Sequence, residues 1–163
     1  MITILPHDTS WAKRRADEVA RLKSRLGDLL IEHVGSTAVP GLAAKPVIDL
    51  LVGLDDASDG ERVSGCLKAL KYQKGQSQSN EPGTLFFERT DGSGGTFHLH
   101  VAPRESVYWR DMLNFRDALR ADPDLACEYV ALKERLAAAF PHDIDAYSAG
   151  KSDFVAGALR GRK

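Results

Sequence analysis

Two short stretches hold the residues best suited to chemistry. The first, "HVGSTAVPGLAAKPVIDLLVGL" at 33–54, sets Gly35, Ser36 and Thr37 ahead of a single carboxylate, Asp49, inside an otherwise apolar run. Glycine lets the backbone approach a ligand closely, the two hydroxyls can cap a following turn, and free N–H groups there suit a phosphate. A tight turn that simply needs Gly35, Pro40 and Gly41 accounts for the same residues. The stretch is neither a Walker A sequence nor a GxGxxG fingerprint, so both common nucleotide motifs are excluded. Asp49 would cost several kcal/mol if buried and unpaired, so it must meet a cation, a metal or hydrogen-bond donors. An ion pair with Arg89 or Arg116 would meet that need structurally; a functional position would meet it with a ligand.

The second stretch is "HLHV" at 98–101, in which His98 and His100 alternate with apolar residues. On a strand both imidazoles share one face, where they can bind a divalent metal, stabilise phosphate charge or move a proton. A zinc site would need a further ligand, and Asp49 or Glu88 is the available choice. The C-terminal stretches "NFRDALR" (114–120), "YVALKERL" (129–136) and "YSAGKSDF" (147–154) place Arg116, Lys133 and Lys151 near aromatic residues. They suit anion clamps, as does Lys45 after the first loop. Solvated helix faces with i,i+4 pairs are the plainer account.

The elements that must position these residues follow from periodicity. Thr9 or Ser10 can cap a helix from Trp11, with Ala12, Ala16, Val19, Leu22 and Leu26 at helical spacing until Gly27. Leu29–Val34 reads as a short strand, Val47–Val52 as a strand covered on both faces, and Asp59–Leu70 as a helix. Residues 73–83, "QKGQSQSNEPG", read as an exposed, mobile loop. "TLFFERT" (84–90) and "TFHLHVA" (96–102) flank "DGSGG" as a hairpin. Helices are expected over 108–121, 124–139 and 145–160. This order predicts one α+β domain over 1–163, with helices against a mixed sheet and a helical C-terminal third.

Composition bounds the partners. In 163 residues, 43% are hydrophobic and 28% charged, as in an ordinary globular protein. Twenty-two basic against 23 acidic side chains give a formal net charge of −1, which offers no global field to a long nucleic acid. Cys66 and Cys127 have no metal or redox spacing and read as small core residues of a protein in a reducing cytoplasm. The N-terminus lacks a secretory pattern, and no apolar run approaches the roughly 18 residues of a membrane span, so no membrane partner is expected. The sequence is silent on oligomeric state.

Five stretches together resemble the GrpB family: "GSTAVPGLAAKPVIDLLV" at 35–52, "HLHV" at 98–101, "FRDALR" at 115–120, "YVALK" at 129–133, and the set Tyr147, Lys151, Phe154. That family is similar to the nucleotidyltransferase fold, and related domains occur fused to dephospho-CoA kinase, where a folding-accessory role has been proposed. The resemblance implies a nucleotidyltransferase-like mixed sheet, phosphate binding at Gly35-Ser36, and a divalent metal, Mg²⁺ or Mn²⁺, at Asp49. The fold's usual Asp-x-Asp pair is incomplete, because Leu51 stands two residues after Asp49. One carboxylate cannot build the two-metal clamp from its standard parts, so Glu88, His98 or His100 would have to substitute. The expected activity is binding of a nucleotide or phosphorylated small molecule, extending to nucleotidyl transfer. The alternatives are a non-catalytic binding or folding-accessory module and a metal-dependent hydrolase using His98, His100 and Asp49.

Overall fold

The computed structural model describes residues 1–161; the last two residues of the expected 1–163 span lie outside the described residues. Helix α1 (Ser10–Leu26) leads into β1 (Leu30–Val34), a 3₁₀ turn (Ser36–Ala38), and β2 (Val47–Leu54). Helix α2 (Gly60–Ala69) is followed by β3 (Gln73–Gly75), β4 (Leu85–Thr90) and β5 (Thr96–Pro103). Four helices close the chain: α3 (Val107–Ala121), α4 (Pro123–Ala139), α5 (Ile144–Ala149) and α6 (Ser152–Arg160). None of the described helices is long and apolar enough to cross a membrane.

The five strands form one mixed sheet in the order β1-β2-β5-β4-β3. Only β2 and β5 run parallel, with Asp49 opposite His98 and Leu51 opposite His100; the other neighbours are antiparallel. Alternation along β2 and β5 sorts the sheet into two faces. Ile48, Leu50, Val52, Phe97, Leu99 and Val101 pack with Leu22 and Leu26 of α1 and Val63 and Leu67 of α2. The opposite face carries Asp49, His98 and His100, and further along it Leu51 and Ala102 pack against Trp109 of α3. The helical C-terminal third covers that second face, where Leu119 and Tyr129 pack with Val39 and Leu42. The β2 and β5 strands are therefore buried on both sides, which explains their near-continuous apolar runs.

Two boundaries differ from the sequence expectation. Residues 73–75 are not loop; they form the short edge strand β3 against β4. Its three residues are all exposed, so pairing through the backbone leaves no hydrophobic alternation to read. The last expected helix divides at Gly150 and Lys151, where a Cβ on Gly150 would sit 2.4 Å from Leu136 Cδ2. Cys66 is half-buried and Cys127 is exposed, so neither is the fully buried core residue expected.

Arg89 faces the α1 side of the sheet, where it pairs with Glu18. Glu18 is buried and also accepts hydrogen bonds from Tyr72 and Arg21, tying α1 to β4 and to the segment after α2. Replacing Glu18 by alanine leaves the Arg89 guanidinium, 13% exposed, without its carboxylate. The expected loss of folding stability is about 3 kcal/mol, to be read from urea denaturation.

Candidate phosphate-binding cleft

The floor of the cleft is built around Asp49. Gly35, at φ +73°, lies so close that a Cβ on it would approach Asp49 Oδ2 to 2.6 Å. Both the positive φ and the contact restrict this position to glycine. Asp49 Oδ1 accepts a hydrogen bond from His100 Nε2 at 3.0 Å, and His98 Nδ1 lies 3.7 Å from the same oxygen. On the far side of the ring, His100 Nδ1 lies within hydrogen-bonding distance of the Tyr108 hydroxyl, at 3.2 Å. Burial pushes the Asp49 carboxyl up, but the His100 hydrogen bond and the charges of His100, His98 and Lys151 outweigh it and hold the pKa below the usual range. Burial, with a smaller push from Asp49, raises the Tyr108 phenol to about 12.

Three lysines, of which Lys45 and Lys151 lie near this carboxylate, are brought together by three separate segments. Lys133 of α4 is buried and donates to Ser36 Oγ at 3.0 Å and to the Ala43 carbonyl at 2.6 Å. Lys45 and Lys151 lie over the Tyr147 ring, their Nζ atoms 4.9 Å and 4.6 Å from its centroid. Among the described residues neither lysine has a carboxylate within salt-bridge distance. Burial first, then repulsion from Lys151 and Lys45 against a weaker pull from Glu134, lowers Lys133 to about 7. Burial and Lys45, opposed by Asp49, lower Lys151 to about 8; burial also lowers Lys45. Buried cations grouped so that Lys45 and Lys151 depress Lys133, and Lys45 depresses Lys151, are complementary to an anion.

The expected residues do not all converge. Asp49, His98, His100, Ser36, Lys45, Lys133 and Lys151 belong to one cleft. Glu88 stands opposite His98 in the sheet, 3.7 Å from its Nε2, and is 54% exposed at the outer margin. Thr37 is buried, and its hydroxyl shares a 2.9 Å hydrogen bond with His33 Nε2. Arg116 binds Glu32, Asp117 and the His33 carbonyl. Neither Arg89 nor Arg116 therefore pairs with Asp49; the histidines do. A broad apolar groove of about 830 Å³ lies on the other side of the 39–43 loop, against α3 and α4, and holds none of the expected site residues.

Tyr108, Tyr129, Tyr147 and His33 contribute without having been assigned roles from the sequence. Tyr108 falls at the first turn of α3, where it reads as the start of a periodic helix. His33 is held neutral by burial, which with neighbouring arginine charge lowers it to about 4 despite the opposing pull of Asp49.

The donor set does not fit the two-metal carboxylate clamp. Leu51 occupies the next position along β2 on the Asp49 face and is packed in apolar surroundings, and Asp49 Oδ1 is engaged by His100. Among the described residues no three His, Cys, Asp or Glu side chains are grouped to hold a metal ion.

The five-stranded mixed sheet with its packed helices is an α+β fold, nucleotidyltransferase-like in its likeness to solved structures. The chain belongs to the GrpB family, whose description, GrpB protein, matches residues 1–160. It is 40% identical over 159 residues to a UPF0157 protein of Pseudomonas aeruginosa, covering 95% of this chain but only 65% of that relative's length. The crystal structure of the conserved protein GrpB from Enterococcus faecalis superposes with a TM-score of 0.83 and 28% identity, over 98% of this chain and 99% of that one. The Cid1 poly(U) polymerase with MgGTP bound superposes with a TM-score of 0.54 and 20% identity, over 82% of this chain and 44% of that one, a likeness of fold.

The depressed lysines give stability a defined pH dependence. Lysine in an unfolded chain titrates near 10.5, whereas Lys133 does so near 7 and Lys151 near 8 when folded. Between these values the unfolded chain binds more protons, so the contribution of these residues to stability rises with pH. Urea denaturation of wild type between pH 7 and 9 should show this rise, and the Lys133→Met variant should show a shallower one.

Proposed function

We propose that the protein binds a nucleotide or another phosphorylated small molecule in this cleft, with the phosphates held by Ser36, Lys45, Lys133 and Lys151. The observation that carries the reading is the grouping of three partly or fully buried lysines, of which Lys45 and Lys151 face Asp49 and none has a carboxylate within salt-bridge distance among the described residues. A structural role alone explains only Lys133, which has two hydrogen-bond acceptors. Lys45 and Lys151 have no such account, and buried cations without partners are costly. The fold adds support, because the Cid1 structure of the same fold holds MgGTP.

Asp49, His100 and Tyr108 form a hydrogen-bonded path along which a proton can pass to or from a bound hydroxyl group. This supports extending the reading to nucleotidyl transfer onto a small acceptor. Leu51, in place of a second acid, supports the other reading, a binding or accessory module that uses the same cleft without transfer.

A thermal-shift panel separates the two. Nucleoside triphosphates, CoA precursors and sugar phosphates are tested with and without Mg²⁺ or Mn²⁺ on wild type and Asp49→Asn. A ligand at 100 times its Kd adds about 2.7 kcal/mol and raises the melting temperature. A shift that needs the metal and disappears in Asp49→Asn supports transfer, whereas a metal-independent shift kept in that variant supports the binding module. No shift with any compound at millimolar concentration contradicts phosphate binding.

A further inference from the structure

Tyr147 is wholly buried, yet its hydroxyl has no hydrogen-bond partner among the described residues. An unpaired buried hydroxyl costs folding free energy, so a partner is expected from outside the chain. The neighbouring side chains show what kind of partner it must be. Lys45 and Lys151, both over the Tyr147 ring, are donors with no accepting atom while protonated. Ser36 Oγ already accepts from Lys133, and its O–H is directed towards the Tyr129 hydroxyl, so it offers no free acceptor either. What this end of the cleft lacks is an acceptor, and one carrying negative charge.

Resting on the phosphate-binding reading above, we infer that Tyr147 is a ligand-binding residue whose hydroxyl, with Ser36, Lys45 and Lys151, holds the terminal phosphate group of the bound molecule. A terminal phosphate matches better than an internal phosphodiester for two reasons. It carries up to two charges, one for each of the lysines lacking a carboxylate, and it offers three free oxygens to the converging donors. The division of the C-terminal helix at Gly150 and Lys151 serves this arrangement. It lets Tyr147, on α5, and Lys151, at the start of α6, bear on the same point. Tyr129, which stacks on Phe154 and meets Phe115 edge-on, lies under Lys133, so the site has an apolar side where charge-assisted hydrogen bonds are strong.

Tyr147→Phe tests the assignment because the two roles of the hydroxyl predict opposite results. The change removes one oxygen and keeps the ring, so unliganded protein should melt at the same temperature as wild type or above it. Affinity for pyrophosphate, measured by calorimetry at pH 7, should fall at least tenfold, since a hydrogen bond to a charged group is lost. Inorganic phosphate and a nucleoside triphosphate serve as parallel probes: a similar fold-loss for all three places Tyr147 at the terminal phosphate. If Tyr147→Phe binds pyrophosphate as tightly as wild type does, the hydroxyl is not a ligand contact, and the phosphate-binding reading stands without it. If wild type binds none of the three probes, that reading and this inference fail together.

Discussion

The structure depends on keeping one carboxylate charged where charge is disfavoured. Asp49 lies on a strand whose neighbouring residues Ile48, Leu50 and Leu51 are fully buried, and its pKa is nevertheless lowered. Several parts of the chain are arranged to make that so. Gly35 leaves room for the carboxylate by having no Cβ. The parallel pairing of β2 with β5 brings His98 and His100 alongside, and α3 supplies Tyr108 to hold the far nitrogen of His100. A one-residue slip in that register would turn both imidazoles into the apolar layer on the other face.

Asp49 does not balance the charge that faces it. Three lysines approach from the 35–45 loop, α4 and the α5–α6 junction; burial lowers the pKa of all three, and neighbouring lysine charge lowers Lys133 and Lys151 further. The half-buried arginine on the opposite side of the sheet offers a contrast. Arg89 meets Glu18 directly, and Tyr72 and Arg21 complete the group, so its charge is matched within the chain. The lysine cleft is open in the electrostatic sense, and the phosphate group proposed for it would supply both the charge and the acceptors it lacks.

The parts of this arrangement visible in the sequence were those marked by a local contradiction. An aspartate in an apolar run, two histidines at a spacing of two, and a glycine-hydroxyl turn are each unusual against their surroundings, and all three lie in the cleft. The hairpin and the main helices were equally legible, since they depend on periodicity and turn residues. Residues whose role depends on long-range packing were not. Lys133 resembles any helical lysine until α4 docks on the loop that carries Ser36 and Ala43. Arg116 was placed among the clamps by its aromatic neighbours, but Glu32, 84 residues away in sequence, takes its charge. Tyr147 and Tyr108 have the spacing of ordinary helix residues, and only the tertiary fold shows where their hydroxyls lie. The strand at 73–75 leaves no sequence signal, because an exposed edge can pair through its backbone alone.

The central claim is that this cleft binds phosphate through its lysines. The most direct test is a crystal structure of the protein grown with pyrophosphate and no divalent metal. The account predicts phosphate density within hydrogen-bonding distance of Ser36 Oγ and the Lys45 and Lys151 ammonium groups. Density confined to the groove beyond the 39–43 loop, or an unoccupied cleft at a pyrophosphate concentration that saturates binding in solution, would contradict it.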